Sequence, residues 1–131
     1  MPRPRSSHPT ELELQILRIL WDRSPLPVRA IRAALAQGGR ALAHTSVITT
    51  LGVMVRKEYL GRNKKGNAFL FWPAITREEV SDGMLSDIVH RVFDGSPTAL
   101  MASLFNTSDV DSDEIEELRR LINRKAKEQS S

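Results

Sequence analysis

The sequence predicts a mainly α-helical protein that contains one small β-hairpin. Apolar residues recur at the three- and four-residue spacing of amphipathic helices along most of the chain. Over residues 60–73 that period changes to the alternation of two short strands around a Lys-Gly-Asn turn at 65–67. The order helix, short extended link, helix, helix and basic hairpin over residues 10–75 is typical of a winged helix-turn-helix domain. Residues 76–131 are predicted to form three further helices, which we interpret as a dimerisation domain.

Local signals set the ends of the first two helices. Thr10 and Glu13 form a capping box, so the first helix begins there and runs to about residue 23. The prolines within 24–27 break this helix and leave a short extended link. The second helix is predicted over about 28–37, because a pair of glycines follows it.

The stretch from Ala43 to Leu60 organises the rest of the chain. Read as a helix, it has one apolar face, formed by Val47, Leu51, Met54 and Val55. Its other face is small and hydroxylated before it becomes basic, and consists of Thr45, Ser46, Thr49, Gly52 and Arg56. An ordinary solvated face would carry Glu and Lys, which are better helix formers than Thr or Ser. The small face therefore suits close approach to a surface such as a DNA major groove. A β-branched helix that is buried on most sides stays the alternative.

Charge is distributed unevenly along the chain. Residues 1–75 contain twelve Lys and Arg against four Asp and Glu, whereas residues 76–131 contain seven against twelve. The hairpin alone carries Arg62, Lys64 and Lys65. A basic first part indicates a polyanionic partner, which we interpret as nucleic acid. A winged helix used for protein contact is the alternative. Residues 1–9 are predicted to form a flexible basic arm, which could contact the phosphate backbone; the alternative is that this arm has no role.

The acidic second part is predicted to contain helices over about 76–93, 98–105 and 111–127. Three short amphipathic helices cannot bury all of their apolar surface alone, whereas two interleaved copies can. A homodimer is therefore predicted, and it would supply a second DNA half-site; folding back on the first domain is the alternative. The predicted dimerisation residues are Val80, Met84, Leu85, Ile88, Val92, Leu100, Leu104, Ile115, Leu118, Leu121 and Ile122.

Several classes of protein are excluded by what the sequence lacks. Without cysteine, neither disulfides nor thiolate metal ligands are available. The three histidines lack ligand spacing, and no nucleophile–base set or glycine-rich phosphate loop is visible. We therefore expect no metal, no cofactor and no enzyme. No apolar run approaches the roughly 18 residues that cross a bilayer, and no secretory signal is present, so a cytoplasmic protein without membrane insertion is expected.

Linked sequence segments follow one another from about Thr10 to Lys125. They are Thr-Glu-Leu-Glu, Ile-Leu and Leu-Trp in the first helix, Val-Arg-Ala-Ile in the second, Ala-His-Thr-Ser-Val-Ile-Thr-Thr-Leu in the third, Lys-Gly-Asn-Ala-Phe in the hairpin, Ile-Thr-Arg-Glu-Glu at the junction and Asp-Glu-Ile-Glu-Glu-Leu-Arg near the end. In this order and spacing the chain resembles the penicillinase repressor family, the BlaI/MecI-type transcriptional repressors. The resemblance implies a dimeric repressor that occludes a promoter by binding a two-fold-symmetric double-stranded operator. A winged-helix protein-interaction subunit without sequence-specific DNA binding is the alternative.

The resemblance also implies site residues. The residues expected by position to contact DNA are His44, Thr45, Ser46, Thr49, Arg56, Lys57, Arg62, Lys64, Lys65 and Asn67. Of these, Thr45, Ser46 and Thr49 are expected to face bases, and Arg56, Lys57, Arg62, Lys64 and Lys65 to lie near phosphates. In well-known members, a membrane-bound sensor with a zinc peptidase domain responds to a β-lactam, and proteolysis in the dimerisation domain releases the operator. The cleaved Asn-Phe bond of some relatives aligns with Ser103 and Leu104, where both residue types differ. Val53 replaces a usual Arg and Glu58 a common Gly, so the operator sequence is not carried over.

Overall fold

A computed structural model of the protein describes residues 8–130. Its elements are α1 (Glu11–Asp22), β1 (Leu26–Pro27), α2 (Val28–Gln37), α3 (His44–Arg56), β2 (Leu60–Lys65), β3 (Ala68–Pro73), α4 (Arg77–Val92), α5 (Pro97–Thr107) and α6 (Ser112–Ser130). This order confirms the mainly helical fold with its small hairpin. Of the predicted basic arm, residues 1–7 lie outside the described residues. The chain forms two compact units that divide within α4, between Asp87 and Ile88.

The core of the first unit lies between α1, α2, α3 and the hairpin. It consists of Ile16, Leu17, Leu20, Ile31, Leu35, Val47, Leu51, Met54, Tyr59, Leu60, Phe71, Ile75 and Val80. Full burial of one such aliphatic side chain contributes about 1.5–3 kcal/mol, so this cluster dominates the stability of the unit. Trp21 at the end of α1 is half-buried. Its indole N–H donates to the Ile75 carbonyl oxygen at 2.9 Å and thereby ties α1 to the segment before α4.

The start of α1 is joined to the end of α3 through one buried carboxylate. The predicted capping box is confirmed: the Thr10 backbone N–H donates to Glu13 Oε1 at 2.9 Å, and the Glu13 N–H donates to Thr10 Oγ1 at 3.2 Å. The second oxygen of Glu13 accepts from Lys57 Nζ at 2.8 Å, although 44 residues separate the two. Glu13 is only 3% exposed. The carboxylate therefore satisfies a helix end and an ammonium group together.

The hairpin belongs to a three-stranded antiparallel sheet of order β1-β3-β2. The link before α2 supplies β1, which is an edge strand of this sheet and whose Leu26 pairs with Phe71. Lys65 pairs with Ala68, so the hairpin turn has two central residues, and the first is Gly66 with a φ of 66°. Glu58, before β2, has the same φ of 66°, which lies in the left-handed region that favours glycine. A glycine at this position would adopt the same backbone conformation without steric cost.

The helices of the second unit have well-defined starts but no buried side chains. Ser96 Oγ accepts from the Ala99 N–H at 3.1 Å at the start of α5, and Asp111 Oδ1 accepts from the Glu114 N–H at 2.9 Å at the start of α6. Both helices extend a few residues beyond the predicted ends. No residue of α5 or α6 is buried. Within residues 8–130, no helix combines the length and the apolar character that crossing a membrane requires.

Candidate nucleic-acid interface

The outward face of α3 is a row of small side chains that ends in an arginine. Thr45, Thr49, Gly52 and Arg56 follow at four-, three- and four-residue intervals, so they share one side of the helix. The opposite side is fully buried and consists of Val47, Leu51 and Met54. All α3 residues that were predicted to contact DNA are exposed, namely His44, Thr45, Ser46, Thr49 and Arg56. The alternative of a helix that is buried on most sides is therefore wrong.

Two threonine hydroxyls of α3 are engaged with the helix backbone. Thr49 Oγ1 donates to the Thr45 carbonyl oxygen at 2.9 Å, and Thr50 Oγ1 donates to the Ser46 carbonyl oxygen at 2.9 Å. With its proton used in this way, the Thr49 hydroxyl keeps its lone pairs for a partner that donates. Its methyl group offers an apolar contact as well. An amino group on a base edge and a thymine methyl group are chemical complements of this side chain.

The hairpin, which we call the wing, places basic side chains on a second exposed surface. Its predicted DNA-contacting residues are all exposed, namely Arg62, Lys64, Lys65 and Asn67. Arg62 pairs with Phe71 and Lys64 with Phe69 across the strands, so these four side chains share one face of the wing. Within residues 8–130, the three wing cations form no ion pair with a carboxylate. Their charge is therefore available to an anion from outside the chain.

Lys57 differs from the other predicted phosphate contacts because the fold uses it internally. Its Nζ lies 2.8 Å from Oε2 of Glu13, whose side chain is 4% exposed, and 5.7 Å from the ring centroid of Tyr59. A buried carboxylate that loses its cation is strongly destabilised, so this ion pair holds Lys57 against the protein. Lys57 consequently adds little to the free positive charge beside α3, in contrast to Arg56.

Another basic surface, separate from the wing and not predicted from the sequence pattern, lies beside the first turn of α3. Arg29 and Arg32 of α2 and His44 line a cleft of about 320 Å³. Arg32 Nε donates to the Leu42 carbonyl oxygen at 2.7 Å, which fixes its guanidinium at the turn before α3. In the part of the chain that the structure describes, neither arginine forms an ion pair. The sequence signal that could have predicted this surface is the three-residue spacing of the two arginines, which puts both on one face of α2. Cations thus flank α3 on two sides.

The predicted dimerisation residues differ in exposure. Val80 is 3% exposed and Met84 half-buried, and both pack in the core of the first unit. Leu100 and Leu118 are also half-buried. The others are 41–67% exposed and comprise Leu85, Ile88, Val92, Leu104, Ile115, Leu121 and Ile122. Val80 is therefore committed to the core of its own chain, whereas the exposed apolar residues of α5 and α6 have the character of an interaction surface.

The predicted cleavage position lies inside a helix. Ser103 is half-buried and Leu104 is 43% exposed, and both belong to the central part of α5. Helical backbone is hydrogen-bonded along its length, so a protease reaches this bond only after α5 opens locally.

Known proteins resemble this chain in sequence and in fold. A family model described as penicillinase repressor matches residues 9–124. The transcriptional regulator BlaI of Mycobacterium tuberculosis is 30% identical over 114 residues, which is 86% of this chain and 80% of that protein. The penicillinase repressor of Bacillus licheniformis is 20% identical over 113 residues, 86% and 88% of the two chains. The solution structure of the DNA-binding domain of the repressor BlaI has a similar fold, with a TM-score of 0.51 and 19% identity over 60% of this chain and 93% of that one. As the resemblance of its motifs predicts, the chain belongs to the penicillinase repressor family.

Proposed function

We propose that this protein is a dimeric transcriptional repressor that binds a two-fold-symmetric operator and occludes the promoter it overlaps. The observation that carries the proposal is the outward row of exposed Thr45, Thr49 and Arg56 and half-buried Gly52, on a helix whose other side is anchored in the core. An α-helix of this kind fits a B-DNA major groove, which is about 12 Å wide. The names of the relatives, which are repressors and transcriptional regulators, support the same function.

Phosphate contacts would supply most of the affinity in this proposal. Arg56 at the end of α3, the arginines of α2 and the wing cations lie around the reading helix and are available to phosphates. Each phosphate that such a side chain neutralises releases counterions, which makes binding depend steeply on salt. Base edges would then be contacted by His44, Thr45, Ser46 and Thr49. Asn67, at the tip of the wing, would lie near the DNA phosphate backbone.

The second copy would bind through the exposed apolar residues of α5 and α6. Two linked reading helices bind a two-fold-symmetric site far more tightly than one, because the second half-site is met at a high effective concentration. Release of the operator by proteolysis within α5, and a membrane sensor metallopeptidase as the partner that starts it, stay predictions from the family resemblance.

The contrast between Thr49→Ala and Arg56→Ala tests the proposed reading of DNA. Arg56→Ala is expected to weaken binding to the operator and to a scrambled duplex by the same factor, and to lower the salt slope by about one per bound subunit, because it removes a phosphate contact. Thr49→Ala is expected to weaken only operator binding, by about 1 kcal/mol, because it removes a base contact. Fluorescence anisotropy with both duplexes at several salt concentrations measures these effects.

Matched controls exist for both substitutions. Thr107 makes the same backbone hydrogen bond to Ser103, at 3.0 Å, but lies in α5, and Arg18 is an exposed arginine on α1. Thr107→Ala and Arg18→Ala are expected to bind both duplexes as the unsubstituted protein does. Weak, sequence-blind binding that disappears at physiological salt would favour the protein-interaction alternative.

Gly52→Ala is expected to stabilise the protein and to weaken its binding to DNA. A Cβ atom at Gly52 would meet nothing within 4 Å, and alanine in a helix interior is more stable than glycine by about 0.5–1 kcal/mol. In the complex, however, the same methyl group would stand between α3 and the groove. Thermal unfolding and anisotropy on the same preparation measure the two effects. A higher melting temperature with unchanged affinity would place Gly52 away from the DNA.

A further inference from the structure

The wing contains an exposed aromatic ring that holds a guanidinium group. The Cζ atom of Arg62 lies 4.7 Å from the ring centroid of Phe69, within the range of a cation–π contact. Phe69 is 39% exposed. The rest of the fold covers only part of this ring, and Arg62 rests against it.

Phe69 is itself anchored to the core by its neighbour on the same face. Its ring centroid lies 6.4 Å from that of Phe71 with an interplanar angle of 51°, and Phe71 is only 3% exposed. A line of contacts therefore runs from the core through Phe71 and Phe69 to the guanidinium of Arg62. Because Arg62 forms no ion pair within residues 8–130, this stacked guanidinium keeps its N–H donors for another acceptor.

The neighbouring cation of the wing provides a contrast. Lys64 lies directly across from Phe69 in the strand register, yet no cation–π contact joins its ammonium group to a ring within the described residues. A guanidinium that rests on a ring has fewer conformations to lose when it binds, whereas a free lysine loses its rotamer freedom at that moment. The two cations should therefore depend differently on Phe69.

We propose that Phe69 is a positioning residue that holds the guanidinium of Arg62 ready for a DNA backbone phosphate. The proposal rests on the proposed function and adds to it that the two wing cations bind phosphate in different ways. Arg62 is the preorganised phosphate ligand, and Lys64 is a mobile one. The contact is independent of base sequence, because phosphates carry no sequence information.

The test is a double-mutant cycle on the full-length protein. Phe69→Leu is expected to weaken binding to operator and scrambled duplexes alike by about two- to fivefold per wing, the range of an exposed cation–π contact. Phe69→Tyr is expected to restore binding, because it keeps the ring. In an Arg62→Ala background Phe69→Leu should have no further effect, whereas in a Lys64→Ala background it should keep its full effect.

Each outcome of the cycle decides one point. Unchanged binding by Phe69→Leu, or independent effects of Phe69→Leu and Arg62→Ala, would overturn the inference while leaving the repressor function in place. If Phe69→Leu unfolded the wing instead, Lys64→Ala would have no further effect in the Phe69→Leu background, and that result would also overturn the positioning role. An unsubstituted protein that binds no duplex overturns the proposed function and this inference with it.

Discussion

Replacing both Leu121 and Ile122 with aspartate is expected to convert the protein to a monomer at micromolar concentration and to abolish tight operator binding. The two side chains are 51% and 60% exposed on α6, on the same apolar stripe as Ile115 and Leu118. Two carboxylates per chain would have to be buried without partners in the proposed dimer, at a cost of several kcal/mol. Loss of the second half-site is expected to lower DNA affinity by about 10²–10⁴-fold.

Sedimentation velocity and anisotropy on the same samples measure this effect. Asn123→Asp adds a carboxylate to the opposite face of α6 and is expected to stay dimeric and to bind normally. Circular dichroism should show unchanged helix content in both variants, because none of the three side chains is buried in its own chain. A Leu121→Asp, Ile122→Asp variant that remains dimeric would move the proposed interface away from α6.

Glu13→Ala is expected to cause the largest loss of stability of any single change considered, about 2–4 kcal/mol. The substitution removes the acceptor of the Thr10 N–H and leaves Lys57 without its carboxylate. The loss stays below that of a fully buried pair because the Lys57 side chain is 39% exposed and can turn to water. Urea unfolding at neutral pH, followed by circular dichroism, measures the difference.

The neighbouring acidic residue of α1 is the matched control for this prediction. Glu11 is 84% exposed and lies 3.9 Å from Arg40, so Glu11→Ala is expected to cost less than about 0.5 kcal/mol. Glu13→Gln should fall between the two, because its amide oxygen still accepts from Thr10 while its NH₂ group faces the ammonium of Lys57. Equal stability of Glu13→Ala and Glu11→Ala would show that the buried carboxylate does not join α1 to α3 energetically.

Much of the fold follows from signals that are local in the sequence. The Thr10 capping box, the proline break before α2 and the Gly66 turn of the wing each act through residues within a few positions. Such signals are strong because the local backbone selects the residue type. The unpaired N–H groups of a first helical turn favour a capping side chain, and a positive φ favours glycine. The element order therefore predicted the winged-helix architecture, which the fold confirms.

The parts that the sequence did not predict depend on contacts between distant segments. Lys57 reads as a free cation until the fold brings it to Glu13, 44 residues away. Likewise, Arg29 joins the basic surface beside α3 only because α2 lies next to the first turn of that helix. The stacking of Arg62 on Phe69 depends on strand register, and register is set by the whole hairpin rather than by either residue. Charge patterns in sequence thus give the sign of a surface, whereas the fold decides which charges are free.

If two copies of the chain together read one duplex, the purified protein should select particular sites from fragments of its own genome. Quantitative binding at several salt concentrations, followed by sequencing of the retained fragments, measures affinity, salt slope and site symmetry together. We expect a small set of two-fold-symmetric sites, bound as dimers at least about 10³-fold more tightly than bulk DNA at physiological salt. Retention of all fragments alike, lost as salt rises, by a protein that sediments as a monomer would rule out a dimer that reads sequence.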